Sequence, residues 1–157
     1  MTREQCKSLS DAFLLGLEAY EKLFSCLLQL LLAKAKGSRI YKLLNQARED
    51  HLSAADMIVR GDLGAARFQA LQAAEKSIKA CCSAYGHTFS KTHKLATLAE
   101  QVRPTVSLPA DLLSAVQCDA DVRYGSGASL EETVAGHHAA LRVSSLLASV
   151  IQASVKK

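Results

Sequence analysis

Residues 61–86 read GDLGAARFQALQAAEKSIKACCSAYG, and this stretch decides the fold class. Between its flanking glycines it is rich in Ala, Leu, Gln, Glu and Lys, which favour the α-helix, and its apolar residues recur at steps of three and four. Asp62 is predicted to cap a helix that runs to Tyr85, and Gly86 is predicted to end it. Polar residues follow a second line along this helix: Gln72, Lys76, Lys79 and Ser83.

The same helical periodicity continues on both sides of this stretch. Ser129 and Glu132 are spaced as a capping box for the last helix, and Thr2 and Gln5 are spaced in the same way at the start of the first. Residues 119–128 contain two glycines and are predicted to form a surface loop. Further helices are predicted over residues 2–36, 38–60, 92–102 (capped by Thr92), 109–118 and 129 onwards. Since no strand pattern competes with them, the sequence predicts an all-α helical bundle of four or five main helices plus a short one.

The composition is that of one helical domain spanning residues 1–157. With 49% apolar residues and 22% charged residues, the chain is too apolar for disorder and too weakly charged for a general nucleic-acid coat. The most apolar run, residues 23–33, is only eleven residues long, whereas a bilayer-spanning helix needs roughly 20. Acidic residues precede this run, which argues against a signal peptide, so we expect a cytoplasmic protein without a membrane segment.

The cysteines and histidines give no recognised chemical motif. Five cysteines without a Cys-x-x-Cys pair are expected to be free thiols, and His51 and His137 fall on apolar lines, where hydrogen-bonded core histidines are expected. The spacings of a di-iron bundle, a phosphate-binding P-loop and a nucleophile elbow are all missing from the sequence. We therefore expect no metal, no cofactor and no assignable catalytic residue.

The positive charge of the chain is concentrated in its middle. Residues 60–103 hold seven basic and three acidic residues, whereas the rest of the chain holds twelve of each sign. Such a local excess suits a phosphate-bearing ligand. The alternative is an ordinary solvated helix face on which Glu75 pairs with Lys79, four residues along the helix.

Five residues are the candidate anion-binding or nucleotide-binding site. Lys76 and Lys79 lie one turn apart, and His93 lies near the N-terminus of a short helix, where free backbone N–H groups favour anions. Arg123 offers a planar fork for phosphate and Tyr124 a ring that stacks on a base. An Arg-Tyr pair that merely anchors its loop is the alternative.

These residues belong to a longer pattern that resembles the HEPN family (higher eukaryotes and prokaryotes nucleotide-binding). The resemblance runs from about Leu43 to Ala153, and residues 1–37 are an N-terminal helical extension to a HEPN-like core at 38–157. The matching segments, in order, are residues 47–50 (ARED), 54–56 (AAD), 61–62 (GD), 65–66 (AA), 69–80 (QALQAAEKSIKA), 86 (G), 91–95 (KTHKL), 122–124 (VRY) and the helix after Glu131-Glu132.

The resemblance implies an up-and-down helical bundle that usually forms a homodimer and offers a groove to nucleotide or RNA. Family members include partners of small nucleotidyltransferases in toxin–antitoxin pairs and ribonucleases, which use Arg followed by four to six residues and then His. Arg48, Arg123 and Arg142 all lack a histidine at that distance.

Three functions remain open at this point. The first is a dimeric HEPN-like module that binds a nucleotide or related polyanion without catalysis. The second is an RNase toxin of a HEPN/nucleotidyltransferase pair, in which His93 or His137 replaces the missing histidine. The third is a protein-interaction scaffold in which the apolar N-terminal helix docks a partner or a second copy.

Overall fold

The computed structural model describes residues 2–33, 35, 37–125 and 127–155, without the side chains of residues 5, 6, 8–10, 12, 13 and 15. Over this part of the chain the structure is all-α, which confirms the predicted fold class. Four helices are long and two are short. In chain order the elements are α1 (Arg3–Leu32), α2 (Arg39–Arg60), α3 (Leu63–Ala84), α4 (Leu95–Val102), α5 (Ala110–Val116), a 3-10 helix (Ala120–Tyr124) and α6 (Leu130–Val155).

Several helix ends follow the predicted signals. The Ser38 hydroxyl accepts a hydrogen bond from the backbone N–H of Tyr41 at the start of α2, and Gly61 ends that helix in the left-handed conformation at φ 79°. The Ser129 hydroxyl likewise accepts from the N–H of Glu132 at the start of α6. The predicted Thr2–Gln5 capping box lies outside the described side chains because that of Gln5 is left out.

One predicted cap and two predicted boundaries were wrong. Asp62 precedes α3 but its side chain makes no capping hydrogen bond, and α1 ends at Leu32 rather than near residue 36. Thr92 does not cap α4, which begins at Leu95. The Thr92 hydroxyl instead accepts a hydrogen bond from the backbone N–H of Lys94, in the turn before α4. The predicted loop at 119–128 also contains the 3-10 helix.

α3 lies at the centre of the bundle, against α2 on one side and α6 on another, while α4 and the 3-10 helix also pack on it. α1 packs mainly on α6 and more lightly on α2. Many of the buried residues on α3 and α6 are small, which leaves room for the neighbouring elements to pack closely. They are Gly64, Ala66, Ala70, Ala73, Ala74, Ser77 and Ala80 on α3, and Gly136, Ala139, Ala140, Ser144, Ser145 and Ala148 on α6.

The apolar composition of α6 follows from its position in the bundle. By length and composition alone this helix could cross a membrane, but 61% of its most apolar window is buried among the other helices. A core helix of a bundle has the same composition. The apolar run at 23–33 has a different arrangement, because Leu23, Cys26, Leu27 and Leu30 are buried whereas Phe24, Leu28, Leu31 and Leu32 are exposed.

Polar side chains are buried where α2, α3 and α6 meet. His51 is fully buried, and its Nε2 lies 2.7 Å from the Ser144 hydroxyl, which lies 2.7 Å from the Ser77 hydroxyl. Ser77 donates onward to the carbonyl of Ala73. The prediction of core histidines is confirmed for His51 and for His137, which is 8% exposed. It was wrong in one respect, since Nδ1 of each ring has no hydrogen-bond partner among the described residues.

Four of the five cysteines are described as free thiols, as predicted. Cys26, Cys81 and Cys82 are buried and Cys118 is partly buried. Burial raises the pKa of the Cys26 and Cys81 thiols to about 12. These thiols are therefore protonated and unreactive at neutral pH.

Candidate functional site

The polar line of α3 carries the two candidate lysines, and both are engaged in ion pairs. Lys76 Nζ lies 2.6 Å from Asp50 Oδ2 of α2, and Lys79 Nζ lies 2.5 Å from Glu75 Oε1 one turn back on α3. Burial raises the pKa of Asp50, although the hydrogen bond from Lys76 opposes this shift. The charges of both lysines are therefore largely neutralised by carboxylates of the same chain. The Glu75–Lys79 pair is the one expected for a helix face.

Glu75 is the centre of this cluster. Its carboxylate is buried, with a side chain only 6% exposed, and it accepts hydrogen bonds from three groups. Besides Lys79, these are His93 Nδ1 at 2.7 Å and Gln72 Nε2 at 3.3 Å. A buried carboxylate requires such donors, because an unpaired charge away from water is very costly.

His93 presents its free edge to solvent. Because a carboxylate can only accept, the contact with Glu75 fixes the proton of the neutral ring on Nδ1 and leaves Nε2 unprotonated. The imidazole is 60% exposed, so Nε2 is accessible. The backbone here is held by Gln117, whose amide accepts from the N–H of Leu95 and donates to the carbonyl of His93.

A phenylalanine ring adjoins the far end of the same cluster. The Arg39 guanidinium lies 4.5 Å from the centre of the Phe89 ring, and Lys79 Nζ lies 5.8 Å from it. These cation–π contacts connect the start of α2 to the loop after α3. An open cleft lies beside them, lined by Ser38, Arg39, Ile40, Ser83, Gly86, His87, Thr88 and Phe89.

Arg123 and Tyr124 lie together on the 3-10 helix, against the first half of α3. The Arg123 guanidinium is 4.6 Å from the centre of the Phe68 ring and 4.7 Å from that of Tyr124, so it contacts two aromatic rings. Tyr124 is 79% exposed. The 3-10 helix approaches α3 so closely that a Cβ on Gly64 would lie 2.1 Å from the carbonyl oxygen of Val122. The close approach therefore requires glycine at this position.

The five candidate residues therefore form two groups rather than one cluster. Lys79 and His93 share Glu75, with Lys76 beside them, whereas Arg123 and Tyr124 adjoin Phe68. Phe68 and Glu75 are separated by about 10 Å along the axis of α3 at 1.5 Å per residue. One ligand can contact both groups only if it extends over that distance.

Several residues of this surface were missed by sequence reasoning. Glu75 was considered only as a partner of Lys79, and Asp50, Phe68, Phe89 and Gln117 were not singled out. The spacing of Gln72, Glu75 and Lys79 was a usable local signal, because residues three and four apart adjoin on a helix. No sequence spacing could have indicated the contacts with Asp50 or His93, which come from other elements.

No group of three or more His, Cys, Asp or Glu side chains suited to a metal ion is present among the residues that the structure describes. The family model for the HEPN domain matches residues 40–134, which confirms the resemblance seen in the sequence. The match includes all five candidate residues and leaves α1 outside. Neither a curated protein nor a solved structure matches this chain.

Proposed function

Because the chain belongs to the HEPN domain family, we propose that it is a HEPN-like module that binds a nucleotide or a related polyanion on the face of α3 that carries the two groups. In this proposal the module binds its ligand and catalyses no reaction itself. The observation that carries the proposal is the environment of Arg123. Its guanidinium is stacked on two rings and has no carboxylate within 4.0 Å among the described residues, so its hydrogen-bonding edge is available.

A stacked guanidinium suits phosphate recognition for two reasons. Its planar fork matches two phosphate oxygens at once, and stacking holds the fork in place, so less side-chain entropy is lost on binding. The exposed ring of Tyr124 beside it offers a surface on which a base can stack. Together the two side chains have the chemistry to bind phosphate and base of one nucleotide.

The loop before α4, which contains His93 of the second group, supplies further positive charge. Lys91 and Lys94 are exposed, and neither has an acidic partner within 4.0 Å in the described part of the chain. Unlike Lys76 and Lys79, these two ammonium groups are free to attract phosphate. The exposed imidazole of His93 lies between them in the sequence and adds a polar group. An oligonucleotide lying along α3 would contact both groups.

The proposal is tested by titrating ATP, GTP and a labelled single-stranded RNA of about ten nucleotides at low salt, with fluorescence anisotropy for the RNA. We expect Arg123→Ala to weaken RNA binding about tenfold or more. We expect Lys94→Ala to reduce the slope of log affinity against log salt concentration by about one. Arg103→Ala is the matched control, because Arg103 is exposed and, among the described residues, pairs only with Glu100. Absence of binding below millimolar, or equal affinity of the Arg123→Ala and control proteins, would refute the proposal.

RNA cleavage is the second candidate function, and the contact between His93 and Glu75 favours it. A general base must have a free nitrogen within reach of the attacking hydroxyl, and a carboxylate on the other nitrogen orients the ring. His93 Nε2 meets this requirement, since it is exposed while Nδ1 is bound to Glu75. His137 does not, because it is buried in the bundle.

The cleavage candidate is tested with labelled RNA and the variants His93→Ala, Glu75→Gln and His137→Ala. Cleavage by His93 requires that His93→Ala be inactive and that His137→Ala remain active. RNA that stays intact with the wild-type protein, or is cut equally by both histidine variants, excludes the second candidate and leaves the binding proposal unaffected.

A further inference from the structure

The cleft at the start of α2, beside the loop that follows α3, contains none of the five candidate residues in its lining. Its volume is about 540 Å³, within the roughly 300–1,000 Å³ of sites that hold small molecules. Ser83, which lines it, is separated from Phe68 by about 22 Å along the axis of α3 at 1.5 Å per residue. A small molecule in this cleft therefore does not reach Arg123 and Tyr124.

Arg39 is the charged side chain of the cleft. Its guanidinium lies 4.5 Å from the centre of the Phe89 ring and makes no hydrogen bond or ion pair with any residue that the structure describes. No aspartate or glutamate is among the described residues that line the cleft, and none lies in the first turn of α2. The planar fork is thus supported by an aromatic ring while its hydrogen-bonding edge stays free, an arrangement that suits an anion.

Three hydroxyl groups line the same cleft, those of Ser38, Ser83 and Thr88. The Ser38 oxygen accepts from the backbone N–H of Tyr41, so its own proton remains available to a ligand. The hydroxyl groups of Ser83 and Thr88 make no hydrogen bond with other described residues. A hydroxyl group both donates and accepts, so this lining suits phosphate oxygens and the hydroxyl groups of a sugar alike.

The wall of the cleft that contains His87 and Phe89 is held in place from α4. His87 Nε2 lies 2.6 Å from Oγ1 of Thr105, which follows α4. The Gln101 side chain accepts from the backbone N–H of Ser90 at 3.0 Å and donates to the Ser90 hydroxyl at 2.6 Å. The wall is therefore formed before a ligand arrives, and little of the binding free energy is lost in ordering it.

We propose that this cleft binds a monosaccharide phosphate. The Arg39 fork binds two phosphate oxygens and Ser38 donates to the third, while Ser83 and Thr88 contact the hydroxyl groups of the sugar. The inference goes beyond the proposed nucleotide binding and does not depend on it. Ser38 and Arg39 precede the matched HEPN segment, so the family match does not include the phosphate-binding half of this site.

The first test titrates the isotope-labelled full chain with glucose 6-phosphate and follows the backbone amide signals by NMR. Glucose and inorganic phosphate are titrated separately as the two halves of the ligand. We expect shifts at residues 83 and 86–89, a Kd below about 1 mM, and binding at least about tenfold tighter than that of either half. No saturation by about 10 mM, or shifts confined to other residues, would overturn the proposal. Equal affinity for inorganic phosphate would overturn the assignment to a sugar.

The second test measures the same affinity in variants. Arg39→Gln should weaken binding about tenfold or more and Thr88→Val about fivefold, and both side chains are exposed, so the fold is preserved. Arg60→Gln is the matched control, because Arg60 is exposed at the other end of α2 and pairs with Asp56. Arg123→Ala should also leave this affinity unchanged although it weakens RNA binding, so the two proposals can fail separately. Equal affinity of the Arg39→Gln and Arg60→Gln proteins would overturn the site.

Discussion

The buried histidines make the fold sensitive to acid. Burial, with a smaller contribution from the nearby His137, lowers the pKa of His51 to about 3. Burial also lowers the pKa of His137 to about 4, with a smaller contribution from His138. The rings of His51 and His137 lie 6.2 Å apart between centres, so both cannot become charged in the folded bundle without mutual repulsion. Acid unfolding should therefore begin well above pH 4.

The sign of the effect follows from proton binding. A histidine in the unfolded chain has a pKa of 6.5 and is mostly protonated at pH 5, whereas these two remain neutral in the folded state at that pH. The unfolded state therefore binds more protons, and stability falls as the pH falls from about 6.5. Each histidine contributes about 1.4 kcal/mol per pH unit over about 1.5 units, or about 2 kcal/mol at pH 5. Together they remove about 4 kcal/mol between pH 7 and pH 5.

Urea unfolding at pH 7 and pH 5 measures this loss. With a slope of about 2 kcal/mol per molar urea, the unfolding midpoint of the wild-type protein should fall by about 2 M. His51→Gln and His137→Gln should each reduce the difference between the two pH values by about half. The control is Tyr85→Phe, which removes a hydrogen bond from Tyr85 Oη to the carbonyl of Val150 and no histidine. It should destabilise the protein equally at both pH values.

A wild-type loss below about 1 kcal/mol would refute the reasoning, because it would require the folded bundle to accept at least one of the two protons. So would a His51→Gln variant whose stability still falls by the full wild-type amount. Most carboxylates titrate below pH 5, so this pH window separates the histidines from them.

Three further changes test other contacts. Gly64→Ala should destabilise the fold by about 1–3 kcal/mol in thermal unfolding, because its Cβ would lie 2.1 Å from the carbonyl oxygen of Val122; an unchanged melting temperature would contradict the close approach. Ser38→Ala should cost about 1 kcal/mol in urea unfolding through loss of the α2 cap. Lys76→Met should lower the free energy of unfolding by about 1–3 kcal/mol at pH 7, because it leaves Asp50 unpaired. An additional Asp50→Leu change should recover stability. No recovery would show that loss of the ion pair is not the cause of the destabilisation.

The sequence allowed the helices to be predicted because their signals are local. Apolar spacing and glycine stops lie within a few residues of the structure that they determine, and Gly61 and Gly86 both adopt the positive φ expected of helix ends. The error at the start of α4 involves a distant residue. The Gln117 side chain accepts a hydrogen bond from the backbone N–H of Leu95, the first residue of α4, and Gln117 lies 22 residues further along the chain. No inspection of Thr92 and its neighbours could reveal that contact.

The candidate site was predictable only in part, for the same reason. A local excess of positive charge pointed to α3 and the loop before α4, but it could not tell free cations from neutralised ones. For Lys76 that distinction depends on Asp50, which α2 brings to α3. The burial of Glu75 was equally hidden, because an acidic residue on a polar helix line is expected to face solvent.

α1 contributes to the core from outside the matched HEPN segment. Its inner face contributes Leu23, Cys26 and Leu30 to the core, and its Tyr20 ring packs edge-on against His51 with 6.5 Å between ring centres. This packing is part of what keeps water from His51, so the low pKa of that histidine depends on α1 staying in place.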